Sequence, residues 1–194
     1  MNEYIPMPML SGTDPEAKRA EIRRYYHQTS DTFERLFDLL MNDDAFYLRP
    51  EPLRHPHIFY FGHTAVFFAN KLVLAQLLPE RIDPLLESIF AIGVDEMSWD
   101  DLNDAHLDWP TVSATRTYRR QVRETVDALI QTQPLQLPIT WESPFWPILM
   151  GIEHERIHLE TSSVLVRQTA LEHLNSDERH HWPIYPESGS APIN

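Results

Sequence analysis

The chain has 194 residues, 42% of them hydrophobic and 11% aromatic, with a formal net charge of −13 and no cysteine. That length supplies one domain with a real core. The acidic balance, without a Lys/Arg cluster, excludes nucleic acid and anionic membrane as natural partners, and the lack of cysteine excludes a disulfide framework and points to a cytoplasmic setting.

Residues 1–12 read as a loose tail. Thr13 or Asp14 caps a helix predicted from Pro15 to about Met41, whose apolar face carries Ile22, Tyr25, Tyr26, Phe33, Leu36, Phe37 and Leu40. The prolines between Arg49 and Pro56 forbid a continuous helix there. A second long helix is predicted from about His57 to Leu78, with Phe59, Tyr60, His63, Phe67, Asn70 and Leu74 on one face. His63, Asn70, Lys71 and Gln76 interrupt its apolar run, which therefore reads as a buried helix and not a membrane span.

Asp83-Pro84 opens a shorter helix, Leu85 to Ile92, ending at Gly93. Asp95 to Pro110 follows as a long acidic loop, a candidate functional segment. A third long helix covers about Val112 to Thr132, with Tyr118, Val122, Val126 and Leu129 facing inward. Pro134 and Pro138 precede the fourth, Ser143 to Gln168, where Ser143 is placed to cap and Pro144 suits the first helical position. Its apolar residues Phe145, Ile148, Leu149, Ile152, Val164 and Leu165 predict a mostly buried helix. From 175 to 194 the composition is that of a linker, so the expected domain is 13–174. Four long amphipathic helices and no convincing strand pair imply an all-α four-helix bundle with a long structured loop between the second and third long helices.

The fourth long helix carries the chemistry. His154 and His158 stand four residues apart, hence on one face, and make half of a metal site. The segment His154-Glu155-Arg156-Ile157-His158 also spells HExxH, the zinc metalloprotease signature in which the glutamate is the general base. A protease needs a third ligand. Val164 stands where many such enzymes carry a histidine, Glu178 lies at a separation that others use, and no edge strand is evident for an extended peptide. The other candidate third ligand is His63, on the apolar face of the second helix. A three-imidazole set suits iron(II), zinc, nickel or manganese.

Glu153, Glu155 and Glu160 flank the pair, either as surface charge or as carboxylates holding an imidazole N–H. Candidate substrate-binding residues are Asp95 and Trp99 in the acidic loop and Arg116 and Arg119 on the third long helix. The acids suit a cationic group and the arginine forks a carboxylate. No catalytic residue is assigned.

Three blocks carry a resemblance: Leu53–Leu72 (LRHPHIFYFGHTAVFFANKL), Phe90–Pro110 (FAIGVDEMSWDDLNDAHLDWP) and Pro144–Gln168. In this order they resemble the N-terminal DinB-like domain of the ovothiol synthases (5-histidylcysteine sulfoxide synthases), related to the ergothioneine-forming sulfoxide synthases. The resemblance implies a non-haem iron(II) site with His63, His154 and His158 as ligands. It implies cysteine and histidine as substrates, with O2, joined by a C–S bond with sulfoxidation. It also implies a following formylglycine-generating-enzyme-like domain that completes the active site, and residues 175–194 read as the link towards it. Two further readings are a stand-alone metal- and thiol-dependent transferase of the DinB-like kind and a non-catalytic metal-binding module.

Overall fold

A computed structural model describes residues 5–91 and 108–175. Among these residues lie five α-helices: α1 (Pro15–Phe37), α2 (His57–Leu74), α3 (Pro84–Ile89), α4 (Val112–Thr132) and α5 (Phe145–Gln168). Short 3-10 turns cover Asp43–Tyr47 and Leu171–His173. The β-structure among them is an isolated bridge between Leu40 and Leu174. The expected all-α class therefore holds. No described helix is long and apolar enough to cross a membrane.

The helix starts follow local chemistry. Asp14 caps α1 by accepting from the amides of Glu16 and Ala17, with Pro15 in the first turn where a missing N–H costs nothing. Asp83 does the same for α3, and Thr111 caps α4.

Three ends fall short of the expected boundaries. Helix α3 stops at Ile89 and not Ile92. Helix α1 stops at Phe37 because the next backbone groups are claimed elsewhere: Met41 N–H donates to His173 and Asn175 N–H to Leu39. Helix α2 stops at Leu74 because Gln76 turns left-handed, at φ 58°. Gln76 N–H then donates to Val73 and Leu77 N–H to Leu72, the paired bonds of a Schellman stop. Residues 5–12, expected to be a loose tail, lie against the bundle instead. Ile5 N–H donates to Gln28, Ile139 N–H donates to Leu10, and both Ile5 and Leu10 pack on the core.

The four long helices form a closed ring in which α5 packs between α1 and α2, and α4 closes the far side against the same two. The core is strongly aromatic: Phe37 lies 4.9 Å from Phe61 and 5.0 Å from Phe33, centroid to centroid, with Phe46 against Phe61. Helices α2 and α5 approach closely because α5 offers Gly151, where a Cβ would come within 2.3 Å of the Phe68 ring. Val164, expected inside, is 50% exposed, on the outer side of α5.

Candidate metal centre

The close α2–α5 packing brings three imidazoles together. His154 and His158 project from one face of α5, one turn apart, and His63 meets them from α2. One donor nitrogen from each lies within 4.8 Å of the other two. The ring centroids are 4.5 Å apart for His154 and His158, 4.9 Å for His63 and His158, and 5.1 Å for His63 and His154.

Aromatic rings of α2 wall the cluster. Phe59 stacks on His63, and Phe67 lies flat on His154 at 3.7 Å. Tyr60 stands 6.0 Å from His158.

Hydrogen bonding sets the nitrogen that His63 presents. Its Nδ1 lies 2.8 Å from the carbonyl oxygen of Phe90. A carbonyl only accepts, so Nδ1 carries the proton and the lone pair of the neutral ring sits on Nε2. Gly62 makes this tether possible: a Cβ there would lie 2.4 Å from the Phe90 ring. On the α5 side, Nδ1 of His154 and Nδ1 of His158 are buried without a hydrogen-bond partner. Buried polar atoms are nearly always satisfied, so two orphans at one spot mark a place built for a ligand.

Burial also keeps the α5 pair neutral. It pushes His154 down to about 2, helped by His158, His63 and Lys71 nearby. It pushes His158 down to about 4, with His63 and Arg54 adding to the effect. Neutral imidazole is the form that binds metal, so proton competition is weak here. The donor set, the orphaned nitrogens and the fixed His63 tautomer all fit a divalent transition metal.

An ionic knot lies one residue along from two of the histidines. Arg119 of α4 donates from Nη2 to Glu155 Oε1 at 2.9 Å, and from Nη1 to Thr64 Oγ1 and the Phe61 carbonyl, both at 2.8 Å. Thr64 in turn donates to Glu155 at 3.1 Å. Thr64 follows His63 and Glu155 follows His154, so one guanidinium clamps both helices that carry the histidines.

This knot revises several expectations. Arg119 is 4% exposed and bonded inside the bundle, so its fork is not available to a substrate carboxylate. Glu155, 2% exposed, is held by Arg119 and Thr64, which leaves the metalloprotease reading without its general base. Arg116 pairs with Asp38 at 3.2 Å and lies over the Phe46 and Phe61 rings. Glu153 accepts from the Tyr25 hydroxyl at 2.6 Å, and Glu160 is exposed. The partner found on the His63 N–H is the backbone carbonyl of Phe90; of the two readings of the flanking glutamates, Glu160 fits surface charge, and Glu153 and Glu155 are held by Tyr25 and Arg119. Asp95, Trp99 and Glu178 lie outside the described residues.

Comparison with known proteins agrees with this architecture. Ergothioneine biosynthesis protein 1 of Neurospora crassa is 28% identical over 126 residues, which cover 62% of this chain and 14% of that protein. Its namesake in Schizosaccharomyces pombe is 26% identical over 139 residues, covering 67% of this chain and 17% of that protein. The chain therefore spans less than a fifth of the length of either relative. The sequence pattern of the DinB superfamily matches residues 25–162, from α1 through most of α5, and the chain belongs to that superfamily.

Proposed function

We propose that this bundle is the iron(II)-binding domain of a sulfoxide synthase of the ovothiol type. The carrying observation is the set of three imidazoles from two helices, within 4.8 Å, in a chain similar to two ergothioneine biosynthesis proteins. His63, His154 and His158 hold the metal, with the domain spanning 13–174 and the segment after it leading to a formylglycine-generating-enzyme-like partner. The reaction joins the sulfur of cysteine to an imidazole carbon of histidine. One O2 balances it: the S–H and C–H hydrogens leave as water and one oxygen stays on sulfur.

Iron(II), when bound, supplies the one-electron chemistry that dioxygen requires. The residues of this chain position and shield. His63, His154 and His158 would hold the metal, which when bound would offer its remaining positions to substrate and oxygen. The Phe90 carbonyl orients His63, and the Arg119 knot fixes the spacing of α2 and α5. Phe59 and Phe67 cover a face of His63 and of His154, and Tyr60 stands beside His158.

The test is anaerobic. The chain is loaded with iron(II), cysteine is added, and the metal spectrum is followed in the presence of nitric oxide as an oxygen surrogate. A cysteine-dependent change supports the proposal. Tight zinc binding with no response to cysteine contradicts it. Turnover of cysteine and histidine with oxygen by this chain alone would remove the need for a partner.

A further inference from the structure

A cleft of about 320 Å³ opens beside the metal centre, lined by His63, Phe67, Asn70, Lys71, Arg81 and Ala91. His63 belongs to both the cleft and the imidazole cluster. The cleft follows one stripe of α2, since residues 63, 67 and 70–71 recur at helical spacing. Its volume is at the small end of ligand sites, sized for an amino acid and not for a cofactor.

The charge in this cleft runs against the rest of the chain, which carries 16 Lys and Arg against 29 Asp and Glu. Lys71 and Arg81 both line it. Among the described residues no carboxylate is within ion-pair range of Lys71; its ammonium lies 5.0 Å above the Phe67 ring, which itself stacks on His154. The lysine is thus one aromatic ring away from the metal centre. Arg81 makes one long contact, 3.7 Å, to Glu87. Glu87 Oε1 accepts from the amides of Ile82 and Asp83 and from the Tyr118 hydroxyl, while Oε2, the atom facing Arg81, makes no hydrogen bond; Arg81 thus balances a buried carboxylate at a distance that leaves its guanidinium donors uncommitted to it.

We propose that this cleft is an anion subsite, in which Lys71, assisted by Asn70 and Arg81, takes the carboxylate of an amino-acid ligand while the ligand's other end reaches the three-histidine centre. The inference rests on the reading of that centre as a metal site and adds the chemical class recognised beside it. Phe67 and Val66 supply an apolar wall for the ligand stem.

The experiment compares ligand pairs that differ only in the carboxylate: cysteine with cysteamine, and histidine with histamine. Each is titrated into the full chain loaded with iron(II), anaerobically, by calorimetry, after metal content has been measured. The parent is expected to bind the carboxylate member of at least one pair more tightly. Lys71→Met should lower that affinity roughly ten- to hundredfold and abolish the preference, as expected for loss of a charged hydrogen bond. Lys71→Arg should keep the preference, and metal content should be equal in all three proteins. Equal binding within both pairs by the parent, or an undiminished preference in Lys71→Met, overturns the subsite. Failure of the parent to hold metal is a different result: it overturns the metal reading, and the subsite falls with it.

Discussion

Arg119 and Glu155 form a 2.9 Å ion pair with side chains 3% exposed, on the residue next to His154. The pair ties α4 to α5, and through Thr64 to α2, at the level of the three histidines. A buried pair adds little net stability over an apolar substitute, but breaking one side leaves a charge in the core.

Glu155→Gln is therefore expected to destabilise the fold by about 3 kcal/mol, measured by urea denaturation. Glu34, 3.4 Å from Arg119 Nε, limits the loss by retaining part of the compensation. A loss near zero would mean that Glu155 is not structural and would reopen its role as a general base.

Gly151→Ala should cost about 2 kcal/mol through overpacking, since its Cβ meets the Phe68 ring at 2.3 Å. Relief requires α5 to move off α2, so metal affinity should fall in the same variant. Unchanged metal binding in a destabilised protein would separate helix spacing from the site.

Gln76→Gly should stabilise. A left-handed non-glycine residue carries strain of about 1 kcal/mol, partly offset by the extra freedom glycine gives the unfolded chain. The net gain is expected at about 0.5 kcal/mol, a rise in Tm of about 1–2 °C by differential scanning calorimetry. A lower Tm would mean that the glutamine side chain stabilises the turn.

His57 makes stability fall with acid. It is fully buried, and its Nε2 lies 2.8 Å from Thr169 Oγ1. The Thr169 hydroxyl donates to Leu165, so Nε2 carries the donated proton, and Nδ1 is buried without a partner. Burial pushes His57 from 6.5 down to about 4. A folded value below the unfolded one means that stability is full above 6.5 and declines as pH falls towards 4, because only the unfolded chain takes up the proton. Between pH 7 and pH 5 the loss from this residue is about 2 kcal/mol. His57→Gln keeps a donor for Thr169 and should flatten the pH dependence by that amount; an equal slope in both proteins would contradict the assignment.

Much of this was legible in the residues. The i, i+4 pair His154 and His158 and the placement of His63 on an apolar helical face depend only on helical periodicity, and the structure brings all three together. Caps at Asp14 and Asp83 likewise depend on nearest neighbours. Tertiary effects were not legible. The early stop of α1 depends on backbone bonds to residues 173–175, far along the chain. The Phe90 carbonyl on His63 is a main-chain group and leaves no side-chain signature. Arg119 offered a signal that could have been used: it follows inward-facing Tyr118, and Glu155 lies between apolar positions of α5, so each was placed to need an opposite charge.

The most direct measurement is anaerobic iron(II) binding to the intact chain and to His63→Ala. The parent is expected to hold about one equivalent and the variant to lose at least tenfold in affinity, because the third ligand comes from another helix. Equal binding by both proteins would make His63 a core histidine tethered to Phe90, and would contradict a centre shared between α2 and α5.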